Sequence, residues 1–194
     1  MNPTMNPRRA GFTLIELMVV VALISIMLVI AVPSFASFIS NYRATTAMND
    51  ILQGIILTRN EALKRGHRVT MAPISADWRN GWIIFIDSTS GGNKNQSWDL
   101  GEELIFQHDK LPSSIAIAGL TPSPTPFLDP NNGRSYVSFD GTGYPRISNG
   151  APTGVSVGLV LTDTVGSSIN TRTLCLATMG RPRIVKGADL CTAG

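Results

Sequence analysis

The chain has few of the residues from which most catalytic and metal sites are built. Its 194 residues include only two histidines and two cysteines, and neither His67 nor His108 lies beside a cysteine or the other histidine. That spacing excludes the common zinc motifs, which need clustered Cys and His ligands. The sequence also has no phosphate-binding loop, dinucleotide fingerprint or G-x-S-x-G elbow. We therefore expect no enzyme, no metal site and no cofactor.

Charged residues are also scarce, at 15% of the chain, and the net charge of +3 says little about partners. The distribution of the charges is more informative. Residues 69–133 hold three basic and seven acidic side chains, whereas residues 134–194 hold six basic and three acidic ones. The chain therefore has an acidic middle and a basic C-terminal third.

One long apolar run lies near the N-terminus. Residues 13–32 read TLIELMVVVALISIMLVIAV and contain a single charge, Glu16. As a helix rising about 1.5 Å per residue, this run spans the roughly 30 Å hydrocarbon core of a bilayer. Arg8 and Arg9 precede it, and the positive-inside bias keeps them cytoplasmic. Residues 32–35 are a poor match to the small residues of a secretory cleavage site.

Glu16 needs a partner, because a carboxylate at mid-bilayer costs about 2.5–3.5 kcal/mol. Residues 11–16, G-F-T-L-I-E, resemble the processing site of type IV prepilins. The resemblance implies that residues 1–11 are a leader, that a prepilin peptidase cleaves after Gly11, and that the new N-terminal Phe12 is methylated. It also implies a partner for Glu16, the N-terminal amine of a neighbouring subunit. Pro33 takes the place of the family's helix-kinking proline.

Beyond Pro33, apolar residues at 3/4 spacing predict that the helix continues as an amphipathic segment to Arg65, with Gly66 as its C-cap. Eight short strands are predicted after it, at residues 68–74, 81–87, 103–107, 114–118, 136–139, 155–161, 172–177 and 182–185.

A long helix on an antiparallel sheet is an α+β fold, and the resemblance implies the type IV pilin fold. The predicted parts are a membrane-spanning and assembly helix at 12–33, an amphipathic helix at 34–66 and a β-rich domain at 67–194.

Residues 78–87, WRNGWIIFID, resemble the N-G-W stretch of the FimT/FimU minor pilins and of their secretion-system relative GspH. We interpret this stretch as a turn followed by a buried core strand. The loop that follows, from Asp87, has a faint likeness to a calcium loop. Gly91 and Trp98 occupy positions where such a loop needs oxygen ligands, so we interpret it as a solvated hairpin loop.

The C-terminal segment holds both cysteines. In an exported chain, Cys175 and Cys191 favour a disulfide, which by loop-closure entropy is worth roughly 3 kcal/mol; the alternative is two buried thiols. Between them stand Gly180-Arg181-Pro182-Arg183 and Lys186. In an extended segment, Arg181 and Arg183 leave the same face, and paired guanidinium forks suit phosphate oxygens.

Residues 180–183 match the G-R-x-R motif of FimT-type pilins. The resemblance implies a minor pilin that binds double-stranded DNA during uptake for natural transformation, or competence. The predicted DNA-binding residues are Gly180, Arg181, Arg183, Lys186, Arg172 and Arg146. A solvated turn whose arginines pair with acids such as Asp189 is the structural alternative. Two other functions stay open, a structural minor pilin that primes or caps the fibre and a GspH-like pseudopilin of type II secretion.

The resemblance also implies partners and a location. The partners are double-stranded DNA, other pilin subunits, the prepilin peptidase and inner-membrane lipid before assembly. We expect a single-pass inner-membrane protein with its soluble domain in the periplasm, which then joins a pilus fibre at the cell surface.

Overall fold

A computed structural model describes residues 11–87, 95–119, 127–129, 133–146, 157–165, 168–187 and 191. The loop after Asp87 and the proline-rich loop at 121–126 lie largely or wholly outside these ranges. The elements in chain order are α1 Leu14–Arg65, β1 Val69–Pro73, β2 Trp82–Ile86, β3 Leu104–His108, β4 Ile115–Gly119, β5 Val137–Phe139, β6 Val157–Val165, β7 Ser168–Leu176 and β8 Pro182–Lys186, with short 3₁₀ helices at Ile74–Ala76 and Trp78–Asn80.

Both ends of α1 are set by local sequence. Thr13 is the N-cap, its hydroxyl accepts from the Glu16 N–H at 3.3 Å, and the Glu16 carboxylate accepts from the Thr13 N–H at 3.4 Å. This capping box satisfies donors that the first helical turn leaves open. Gly66 ends the helix in a left-handed conformation, with φ 65°, and donates to the Ala62 carbonyl. The predicted helix is thereby confirmed, and it runs through position 33.

The first part of α1 stands away from the β-strands, and its side chains up to residue 29 are exposed. Within the residues that the structure describes, no helix combines the length and the apolar composition needed to cross a membrane.

The strands form two antiparallel sheets that share α1 as their core helix. Counting the described residues alone, each sheet has four strands, in the orders β3-β2-β1-β5 for the first and β4-β6-β7-β8 for the second. All eight predicted strands are present and the α+β fold is confirmed. The single sheet that we expected is instead two, because β6 and β7 are nine residues long and recruit β4 and β8 as their own neighbours.

The core lies between α1 and the two sheets. Apolar α1 residues at helical spacing are buried there, and the strands contribute Met71, Trp82, Ile84, Leu159, Leu161 and Leu174. Trp78 is 2% exposed and Trp82 fully buried, and their rings lie 6.5 Å apart. The predicted core role of residues 78–87 is therefore confirmed.

Asp87 is a buried acid at the end of β2, and its side chain is 1% exposed. The Thr70 hydroxyl donates to its Oδ2 at 3.1 Å, but its Oδ1 has no partner among the described residues. Burial raises the pKa of Asp87 to about 6, although the Thr70 hydrogen bond and the charge of Arg68 act in the opposite direction. The folded protein therefore holds this proton more tightly than the unfolded chain does.

We expect Asp87→Asn to stabilise the protein at neutral pH. Because the folded pKa is raised from 3.8 to about 6, stability contributed by Asp87 is present at pH 4 and is lost as pH rises through 6. A shift of about two units, which already includes the attraction of Arg68, sets a ceiling of about 3 kcal/mol. The buried Asn amide needs hydrogen-bond partners of its own, which reduces the net gain to about 1–2 kcal/mol. Urea unfolding at pH 7.5 and pH 4 measures the difference.

The matched control is Asp77→Asn. Hydrogen bonding to Arg79 lowers the pKa of Asp77, so removal of this charge gives no gain at pH 7.5. A loss of stability in Asp87→Asn at pH 7.5, or an equal gain at both pH values, contradicts the expectation.

Candidate nucleic-acid interface

The hairpin of β7 and β8 carries the predicted G-R-x-R motif. Its strands pair Cys175 with Arg183 and Leu176 with Pro182. The turn is closed by two backbone hydrogen bonds, from the Ala177 N–H to the Arg181 carbonyl at 3.0 Å and from the Gly180 N–H to the Ala177 carbonyl at 2.8 Å. Gly180 has φ 73°, a left-handed conformation that glycine adopts at no steric cost.

Strand alternation decides where the two arginines point. Leu174 is buried in the core and Ile184, opposite it in register, packs against that core, so this face of the hairpin is turned toward α1. Arg183 is one residue from Ile184 and therefore lies on the outer face. Arg181 immediately precedes β8, and its carbonyl accepts from the Ala177 N–H, so strand alternation places it on the same face as Arg183. Both side chains are exposed, and the Arg181 guanidinium has no ion pair or hydrogen bond among the described residues.

The disulfide stands on the same outer face. Cys175 and Cys191 are bonded, with their Cα atoms 5.5 Å apart, which confirms the predicted pairing. Cys175 is 2% exposed and lies directly across the ladder from Arg183. The bond therefore holds Cys191 next to Cys175, on the strand opposite Arg183.

The other predicted cations do not join this pair. Arg172 and Lys186 are opposite each other in register, three residues of β8 beyond Arg183, and so belong to the face toward α1. Arg172 Nη2 donates to the Asn41 Oδ1 at 2.7 Å. The structure thus brings together Gly180, Arg181 and Arg183, and it places Arg172 and Lys186 on the reverse side of the hairpin.

Arg146 follows the loop, containing Gly143 and Pro145, that packs against the β7–β8 turn, but its side chain forms an ion pair with Asp140. Its Nε donates to the Asp140 Oδ2 at 2.6 Å. Burial alone would raise the pKa of Asp140, but hydrogen bonds from Thr142, Arg146 and two backbone N–H groups lower it to about 2. Arg146 therefore braces the loop and its charge is balanced there.

The underside of the turn is closely packed. A Cβ added at Gly180 would lie 2.8 Å from Phe139 Cε1 and 3.2 Å from both the Gly143 carbonyl oxygen and Pro145 Cδ. From α1, the Arg59 Nη1 donates to the Gly180 carbonyl at 3.2 Å. Neither Arg59 nor Gly143 was predicted at this site, because no local pattern connects residues so distant along the chain.

Among the residues that the structure describes, no group of three or more acidic, His or Cys side chains is placed to hold a metal ion.

Comparisons with known proteins agree with this architecture. Residues 6–32 match the prokaryotic N-terminal methylation motif. A stretch of 46 residues, 24% of the chain, is 48% identical to the type IV major pilin protein PilA of Myxococcus xanthus (strain DK1622), and the match spans only 21% of that protein.

The fold is similar to the crystal structure of the type IV minor pilin FimU of Pseudomonas aeruginosa (strain PAO1), with a TM-score of 0.52 and 15% identity over 76% of this chain and 92% of that one. Residues 47–180, more than half of the chain, match the family described as type II transport protein GspH. The chain therefore belongs to the GspH family, as a pilin-like protein that carries the N-terminal methylation motif.

Proposed function

We propose that the protein is a minor type IV pilin that binds double-stranded DNA without sequence preference and supports DNA uptake in natural transformation. The observation that carries the proposal is the pair of exposed arginines, Arg181 and Arg183, on one face of the β7–β8 hairpin. Guanidinium forks two residues apart on an extended strand suit the phosphate oxygens of a duplex backbone.

We expect the site to bind DNA weakly and without sequence preference. Two arginines supply few phosphate contacts, and phosphate contacts confer affinity without reading the base sequence. The turn is held by backbone hydrogen bonds, and a disulfide joins Cys175 of the hairpin to Cys191, so less ordering is needed when a ligand binds. Lys186, Arg172 and Arg146 lie off this face or are already engaged, and we assign them no direct phosphate contact.

The N-terminal part of the proposal concerns assembly. We propose cleavage after Gly11, methylation of Phe12 and insertion of residues 13–32 in the inner membrane before the subunit joins the fibre. The exposed apolar side chains of α1 before residue 30 support contact with lipid or with neighbouring subunits. Glu16 then pairs with the N-terminal amine of a neighbour, which offsets the cost of its carboxylate in an apolar surrounding.

The test is DNA titration of the full chain in detergent, followed by fluorescence anisotropy of a labelled duplex at several salt concentrations. We expect Arg181→Gln/Arg183→Gln to weaken binding about ten- to a hundredfold. Each lost phosphate contact also reduces the magnitude of the negative slope of log K against log salt by about 0.9. The slope of the double variant should therefore be shallower by about two.

A matched control removes the same charge elsewhere. Lys64→Gln/Lys110→Gln changes the net charge by the same amount at two exposed positions, at the end of α1 and after β3. If both double variants lose the same affinity, net charge and not the turn explains binding. If the arginine variant binds as well as wild type, the assignment of the DNA site is wrong.

The family match favours a second candidate, a pseudopilin of type II secretion. In that role, or in priming a pilus, the outer face of the hairpin would contact a neighbouring subunit. Gene deletion separates the three functions. If the protein is a DNA receptor, its deletion leaves fibres intact and abolishes transformation. Deletion of a priming pilin abolishes fibres, and deletion of a pseudopilin abolishes protein export.

A further inference from the structure

We propose that Arg59 of α1 is a positioning residue for the β7–β8 turn, an inference that rests on the proposed DNA function. Arg59 holds the Gly180 carbonyl, so that the next residue, Arg181, projects from the outer face in a fixed direction. The long helix would thereby set the geometry of a site 121 residues further along the chain.

The side chain that forms this contact comes from α1. Arg59 Nη1 donates to the Gly180 carbonyl at 3.2 Å in a partly buried setting. Its Nε is buried without a hydrogen-bond partner among the described residues, and it lies 3.3 Å from the place where a Cβ on Gly143 would stand. The head of Arg59 is therefore confined between the turn and the loop that precedes Pro145.

The turn has few contacts of its own to hold it in place. Thr178 and Met179 at its tip are exposed, and Met179 is 61% exposed. Gly180 has no side chain to anchor the backbone, and the turn's own backbone contributes two hydrogen bonds. A donor from a rigid helix reduces the conformational freedom that Arg181 must lose on binding a phosphate.

Arg59 does not act as a third phosphate ligand in this proposal. One of its terminal nitrogens is committed to Gly180 and its Nε is buried. A residue that contacts phosphate contributes to the salt dependence of binding, whereas a residue that only orders the turn changes affinity at constant salt slope. The salt slope therefore separates the two roles.

The experiment uses the full chain in detergent and the variants Arg59→Met and Arg59→Lys. Hydrogen exchange without DNA reports on residues 177–183, with a peptide from β6 as internal reference, and anisotropy with a labelled duplex gives the affinity. For Arg59→Met we expect at least fivefold faster exchange in the turn with β6 unchanged, three- to tenfold weaker DNA binding, and an unaltered salt slope. Arg59→Lys keeps a donor and should restore part of both effects.

The matched control is Arg65→Met, which removes a cation of the same helix that bonds to Glu61 and Glu103 and not to the turn. It should leave exchange in residues 177–183 unchanged. Unchanged exchange in Arg59→Met overturns the proposal, and so does a salt slope that falls by about one, which would make Arg59 a phosphate contact. Wild-type protein that binds no DNA overturns the proposed function instead, and exchange alone then decides whether Arg59 positions the turn.

Discussion

Replacement of both cysteines, Cys175→Ser/Cys191→Ser, is expected to lower the free energy of unfolding by about 3 kcal/mol. The bond closes a loop with a sequence separation of 16 residues, and loop-closure entropy for about 15 residues corresponds to roughly 3 kcal/mol. For a chain of this size, that loss lowers the melting temperature by about 6–12 °C. Thermal and urea unfolding of the full chain in detergent measure both quantities.

The two sheets should survive the loss of this bond. β6 and β7 pair along nine residues, and Leu174 and Leu176 keep the hairpin on the core. What changes locally is Cys191, which loses its covalent bond to Cys175. Wild-type protein with a reductant is the matched control and should approach the stability of the double variant. A variant as stable as oxidised wild type, or one that a reductant destabilises further, contradicts the expectation.

Most of the fold was predictable because its signals are local. A capping box at Thr13 and a glycine at position 66 define α1, and short apolar runs between turn residues define the strands. The boundaries failed where tertiary contacts overrode local preference. β6 continues to Val165 past its predicted end at residue 161, although it includes Asp163, a residue type that strands disfavour. Pairing with β4 and β7 on both sides keeps this part extended.

In the candidate site, too, local rules predicted some features and tertiary contacts determined the others. Arg181 and Arg183 share a face because they are two residues apart, which is a local rule. Lys186 was predicted to help them, but an odd separation from Arg183 sends it to the other face once β8 is extended to that position. The contact from Arg59 depends on how α1 packs against the hairpin, and no local pattern encodes a pairing over that distance.

Gly180→Ala is expected to cost about 3 kcal/mol of stability. The φ of 73° imposes a left-handed penalty of about 1–2 kcal/mol on alanine. The new Cβ would also lie 2.8 Å from Phe139, which is fully buried, and 3.2 Å from the Gly143 carbonyl. Overpacking of this kind typically adds about 1–3 kcal/mol, because one neighbour is a buried ring and the other is a backbone carbonyl.

Gly187→Ala separates the two causes. Gly187 has φ 86°, as left-handed as Gly180, but a Cβ there meets none of the described residues within 4 Å. Backbone strain alone should therefore cost Gly187→Ala roughly the same 1–2 kcal/mol, and the difference between the two variants measures the packing beneath the turn. If both Gly→Ala variants lose the same stability, Gly180 is needed only for its left-handed backbone conformation, and close packing of the turn on Phe139 and Gly143 contributes nothing. If Gly180→Ala costs more and also weakens DNA binding, the glycine of the G-R-x-R motif is needed because it lets the turn approach the loop closely enough to aim Arg181.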